Sequence, residues 1–134
     1  MDKKIFNKNL QYVIYTIGYH KEGESVLVFI KTDDVIVFTV VIDSYEEGEI
    51  NITCELLARE NLNHIDMVCW SHPDKDHSLG ISKYLKWIDE RTIILVGDGF
   101  VETQENWKDA DGIMYDYIDS ELKKNFKKSC LYFE

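Results

Sequence analysis

No histidine follows residue 77 in this 134-residue chain, and Pro73 is its only proline. With so little proline and no serine- or glycine-rich tract, nothing marks a linker, repeat or low-complexity segment, so a single domain over residues 1–134 is expected. No apolar run approaches the roughly 18 residues of a membrane span. The opening Met1-Asp2-Lys3-Lys4-Ile5-Phe6-Asn7-Lys8 also lacks the apolar stretch of about 7 to 15 residues that a secretory signal needs. A cytoplasmic protein without membrane attachment is the expectation. The three cysteines, Cys54, Cys69 and Cys130, are widely spaced with no Cys-x-x-Cys pair, which argues against a disulfide framework or zinc ribbon and leaves reduced thiols. Cations are scarce too: 15 Lys and Arg stand against 25 Asp and Glu, a net charge of −10. That balance opposes nonspecific adhesion to nucleic acid or to an anionic membrane, because each phosphate contact needs a cation.

What is present is a hydrophobic fraction of 45%, which at this length can bury roughly two-thirds of the unfolded surface. The first half reads as strands: Gln11 to Tyr19, Ser25 to Lys31 and Val35 to Asp43 are dense in β-branched and aromatic residues. The polar breaks at Lys21 to Glu24 and Thr32 to Asp34 are too short for a crossover, so these strands form an antiparallel meander. From Asn51 to Asn61 the apolar Ile52, Leu56 and Leu57 fall at helical spacing, with Asn51 or Thr53 as N-cap. A helix there returns the chain, so that the strand Ile65 to Trp70 runs parallel to the third. Ile81, Tyr84, Leu85 and Ile88 then predict a second helix, Thr92 to Val96 a strand closed by Gly97-Asp98-Gly99, and Asp116 to Lys128 a last helix. The terminal Cys130-Leu131-Tyr132-Phe133 predicts an edge strand, or else a chain cut short. The expected fold class is α/β, a mixed sheet with helices packed on it.

At the end of the fourth strand, Ser71-His72-Pro73-Asp74-Lys75-Asp76-His77 brings together two imidazoles and two carboxylates. Each is a good ligand for a divalent transition metal. In the plainer reading Asp74, Asp76 and Ser78 only cap the next helix and the histidines are surface residues, but while carboxylates at a helix N-terminus are common, this combination is not. The loop resembles the metallo-β-lactamase superfamily, whose signature is His-x-His-x-Asp-His after a buried strand, followed by a small-residue turn into a helix; Ser78-Leu79-Gly80-Ile81 continues the likeness. Upstream, a strand ending in Asp43, and Gly23-Glu24-Ser25 ahead of a strand, are similar to the competence-type hydrolases of that superfamily, which act in DNA uptake. The likeness covers roughly residues 12 to 97.

The resemblance implies half of an αββα sandwich. It implies that His72 binds a first metal and that Asp76 and His77 bind a second, with Asp76 also orienting the attacking water and Asp43 bracing the loop. Asp74 stands where many members have histidine; if it ligates, the first site is harder, and manganese or iron joins zinc as a candidate. The implied activity is hydrolysis of a phosphodiester, ester or amide bond by metal-activated water. Because a metal pair adds positive charge where a phosphate would sit, the acidic composition does not exclude a small-molecule or nucleic-acid phosphodiester.

A catalytic metal needs about three protein ligands and an open position, whereas His72 with Asp74, and Asp76 with His77, supply two each. In the superfamily the remainder comes from later strands, where this chain has no histidine. His64 begins the strand whose far end carries His72, some 20 Å away at roughly 3.3 Å per residue, and is excluded. His20 ends its strand at the same sheet edge as His72 and is eligible as an accessory ligand or substrate contact, or else is a solvated hairpin residue. Asp98 reads first as a turn former, with a bridging ligand the alternative. Two functions are therefore expected: a hydrolase completed by another chain, or a catalytically inactive remnant serving as a binding or assembly module. A half sandwich exposes the apolar face of its sheet, so a homo-oligomer or a second chain completing the fold is expected in either case.

Overall fold

A computed structural model of the protein describes residues 9–18, 23–124 and 130–133. Six strands form one sheet: β1 (Leu10–Gly18), β2 (Glu24–Thr32), β3 (Val35–Ile42), β4 (Met67–Trp70), β5 (Ile93–Gly97) and β6 (Cys130–Phe133). Their order in space is their order in the chain. β1, β2 and β3 pair antiparallel, while β3 with β4, β4 with β5 and β5 with β6 pair parallel. The α/β class with an antiparallel meander leading into parallel strands is thus the observed one. Between β2 and β3 the chain turns on Asp33 and Asp34, at φ 52° and 65°. Two successive left-handed residues match the twist of a tight hairpin, and Asp tolerates that region better than most.

The helices are α1 (Ile52–Arg59), α2 (Lys75–Ser78), α3 (Gln104–Ala110) and α4 (Gly112–Lys124), with a 3₁₀ helix at Ile81–Trp87. Asn51 caps α1, its side-chain oxygen accepting from the Cys54 N–H at 3.0 Å. Helical residues such as Leu57, Tyr84, Trp107 and Ile118 share one buried cluster with the strand residues Leu27, Phe29, Val41, Val68, Trp70 and Val96. Those strand positions alternate along each strand and so line a single face. Full burial of side chains of this size stabilises by about 1.5–3 kcal/mol each. Trp70 is the hub, edge-on to Trp107 at 4.9 Å and to Phe100 at 6.5 Å.

Four details differ from the sequence-based expectations. The segment after the His72 loop is a single α turn followed by the 3₁₀ helix, whose buried residues are Ile81, Tyr84 and Trp87; their spacing of three suits a three-residue turn, not the α stripe through Leu85 and Ile88. In α1, Ile52 is exposed and Thr53 faces the core, its hydroxyl 3.3 Å from that of Ser25. The last helix begins at Gly112, not Asp116, because the Asp111 carboxylate accepts the Met114 N–H at 3.0 Å and starts it earlier. The portion expected over 125–128 lies outside the described residues. Helix α3 is additional. Among the described residues, no helix is long and apolar enough to cross a membrane.

Candidate metal centre

Because β3 and β4 are parallel neighbours, their carboxyl ends lie side by side, the position where open α/β sheets place ligands. Asp43 is the first residue past β3 and Ser71 the first past β4. Asp43 has φ 56°, a left-handed conformation uncommon outside glycine and easier for Asp than for most residues. Its carboxylate is buried and accepts the Ser71 N–H at 2.7 Å through Oδ1 and the Ser71 hydroxyl at 2.5 Å through Oδ2. The same Oδ2 faces His77 Nδ1 at 2.9 Å. The Asp43 backbone is fixed as well: its N–H donates to the Cys69 carbonyl at 2.8 Å, and its carbonyl accepts the Tyr84 hydroxyl at 2.9 Å. Burial pushes the Tyr84 phenol above its ordinary range, so it stays a donor.

In the neutral imidazoles these contacts dictate which nitrogen carries the proton. A carboxylate only accepts, so His77 Nδ1 carries the hydrogen toward Asp43, and its Nε2 keeps a bare lone pair. The single hydrogen of the Ser71 hydroxyl goes to Asp43. His72 Nδ1, 2.7 Å from the same Ser71 oxygen, must therefore donate to it, which leaves His72 Nε2 bare too. Both histidines thus hold the tautomer a metal needs, and one carboxylate imposes it on both, directly on His77 and through Ser71 on His72.

Each bare nitrogen has a carboxylate beside it. His72 Nε2 lies 3.7 Å from Asp74 Oδ2, and His77 Nε2 lies 3.6 Å from Asp76 Oδ2. Two ligand atoms about 2.1 Å from a tetrahedral zinc stand about 3.4 Å apart, so both pairs come close to a metal bite. The two imidazole rings are 3.8 Å apart between centroids. One ligand atom from each of Asp43, His72 and His77 also falls within a 4.8 Å cluster that can hold a metal ion. Since the Asp43 oxygens already accept three hydrogen bonds, the more economical division makes Asp43 the orienting group and the two Nε2 atoms the ligands.

The rest of the loop is pinned from three sides. Ser44, next to Asp43, donates from its N–H to the His77 carbonyl at 3.0 Å and from its hydroxyl to the Leu79 carbonyl at 2.6 Å. The buried Trp70 indole donates to Ser78 Oγ at 2.9 Å, tying the loop's exit to the strand that enters it. Glycines close the frame: a Cβ at Gly23 would stand 2.6 Å from the Asp76 carbonyl oxygen, and one at Gly97 would strike the Ser71 carbonyl. Both positions need the missing side chain so that backbone can approach backbone.

Of the residues singled out in the sequence, the structure gathers Asp43, His72, Asp74, Asp76 and His77 at this one sheet end. Asp98 does not join them; it is exposed, and its carboxylate accepts the Gly99 N–H at 3.0 Å within its own turn. His64 is engaged elsewhere, 2.9 Å from Asp89. His20 lies outside the described residues. Cys69 sits just ahead of the loop, half-buried, and burial pushes its thiol up to about 11, so it is a neutral thiol at pH 7. Ser71, Ser44 and Tyr84 were not foreseen as participants. The one cue for Ser71 was its place between the strand and His72. No family model, no curated protein and no solved structure matches the chain.

Proposed function

We propose that the protein is a metal-dependent hydrolase of the metallo-β-lactamase type, cleaving a phosphodiester, ester or amide bond with water. The observation that supports this best is the shared tautomer: through Asp43 and Ser71, both histidines offer a bare Nε2 with a carboxylate at 3.6–3.7 Å. On this reading His72 with Asp74, and His77 with Asp76, hold the divalent metal, zinc first and manganese or iron where the oxygen donors dominate. The metal, when bound, supplies acidity to a coordinated water and polarises the scissile bond. The chain's own part is to hold both imidazoles in register through Asp43 and to orient the attacking water through Asp76, whose side chain is 43% exposed and reachable by solvent. Phosphodiester is the favoured bond, on the resemblance of the loop to competence-type hydrolases.

A second reading is favoured by one observation: each His–Asp pair contributes two ligands, one fewer than a catalytic site ordinarily uses. A chain of that kind would bind metal without turning over substrate and act as a binding or assembly module. Elemental analysis of the purified protein, with hydrolysis of bis(p-nitrophenyl) phosphate in zinc and in manganese, separates the two. Metal with turnover supports the hydrolase; metal without turnover supports the module. The His72→Ala/Asp76→Ala double variant should lose both tight metal binding and any hydrolysis, and unchanged metal content in that variant overturns both readings.

A further inference from the structure

The sheet has two apolar faces, and the helices of the core cluster serve only one. On the other face the side chains of β1 to β5 alternate out of the core: Tyr12, Ile14, Val28, Val40, Met67 and Leu95 are exposed or half-buried, and none belongs to the buried cluster. They form a continuous surface, since Tyr12 opposes Ile30, Ile14 opposes Val28, Val28 opposes Val40 and Val40 opposes Met67 across the ladders. On β1, Tyr12 is 62% and Ile14 63% exposed. Apart from Glu24 at the rim, no charged side chain occupies this face in β1 to β5, although 30% of the chain is charged.

We propose that this face is the interface of a homodimer in which two copies pack sheet against sheet. The absence of charge argues for a second copy over an oppositely charged partner: the face offers nothing for electrostatic selection, and the net charge of −10 lies elsewhere on the chain, so two copies meet here without confronting it. Shape argues the same way. Two sheets of the same right-handed twist pack about 10 Å apart with strands within about 30° of alignment, and a two-fold axis makes one patch complementary to itself. The interface core would be apolar and depleted of charge, as homodimer cores are.

Sedimentation equilibrium tests this without reference to metal. The wild type should sediment at twice its 15.8 kDa chain mass at about 10 µM, above the dissociation constant of a stable homodimer. Ile14→Lys/Val28→Lys places two like charges opposite one another on the contact face and should raise the dissociation constant by at least about 100-fold, with the far-ultraviolet circular dichroism unchanged. If that double variant does not fold, Ile14→Lys alone decides, because its side chain is already exposed; about a tenfold rise is expected. A wild type that remains monomeric at about 100 µM, or a dimer that neither variant weakens, overturns the proposal.

Discussion

At the amino end of β4 and β5, His64 lies between two carboxylates, its Nδ1 2.9 Å from Asp89 and its Nε2 3.3 Å from Asp66. At the carboxyl end of β3 and β4 one carboxylate, Asp43, serves two histidines. The ingredients are the same, imidazole and aspartate, but the bookkeeping of nitrogen atoms is opposite. Around His64 both ring nitrogens face protein carboxylates, and Asp66 is further committed to the Thr39 N–H at 2.8 Å. Around Asp43 the Nδ1 atoms make the close contacts, at 2.7–2.9 Å, and each Nε2 stands 3.6–3.7 Å from a more exposed carboxylate, too far for a hydrogen bond. A histidine–aspartate cluster therefore becomes a candidate site not by composition but by which ring atom the fold leaves free.

The largest effect that can break this contrast comes from Asp43→Asn. Asparagine keeps the left-handed backbone accessible and can still accept the Ser71 N–H, but its amide would turn a donor toward His77 Nδ1 or toward Ser71. The affected imidazole then carries its proton on Nε2 and cannot ligate. Metal affinity should fall about 10- to 100-fold while the variant stays folded, as read by competition with a chelating dye and by circular dichroism. An unchanged affinity would place the metal on other atoms. His64→Ala, the matching change at the opposite end, should leave metal affinity where it was.

Ser71→Ala is the finer version, since it removes the link between Asp43 and His72 and leaves every proposed ligand in place. About a tenfold loss of metal affinity is expected, with no change in the His77 half of the centre; nitrogen-15 imidazole shifts should show the tautomer of His72 disturbed and that of His77 retained.

The smallest effect belongs to the other end. Hydrogen bonds from the Arg91 side chain and backbone hold the Asp89 carboxyl at about 2. A carboxyl depressed in the folded state contributes stability that is present above its unfolded value near 4 and is lost as pH falls through about 2. The wild type and Arg91→Ala should therefore differ by a small, constant urea midpoint above pH 5 and converge between pH 4 and pH 2. Metal content should be the same in both. A gap that widens on acidification would reverse the assignment.

The meander was legible in the sequence because three runs of β-branched and aromatic residues are separated by breaks too short for anything but hairpins. Helix α3 was not legible, since Gln104–Ala110 carries a single buried apolar anchor, Trp107, and one anchor has no period. The 3₁₀ helix misled because Ile81 and Tyr84 satisfy both a three-residue and a four-residue repeat, and only the burial of Trp87 in place of Leu85 and Ile88 separates them. In the loop, the histidines and aspartates announced themselves by density. The protons did not: that His72 is held through Ser71 depends on a parallel register between β3 and β4 that brings residues 43 and 71 together, and no local pattern encodes it.

A sheet whose spatial order repeats the chain order has a consequence for biosynthesis. Each strand that leaves the ribosome finds its neighbour already made, so no strand waits for a later one to be inserted beside it. Asp43 emerges early, with the meander, whereas its partners Ser71 and His77 follow 28 and 34 residues later. The carboxylate is therefore synthesised into water and enclosed only when β4 docks. Protease protection of stalled nascent chains should rise first for the meander and again once the His72 loop has cleared the exit tunnel, with the second step delayed or lost when Ser71 and His77 are both replaced by alanine.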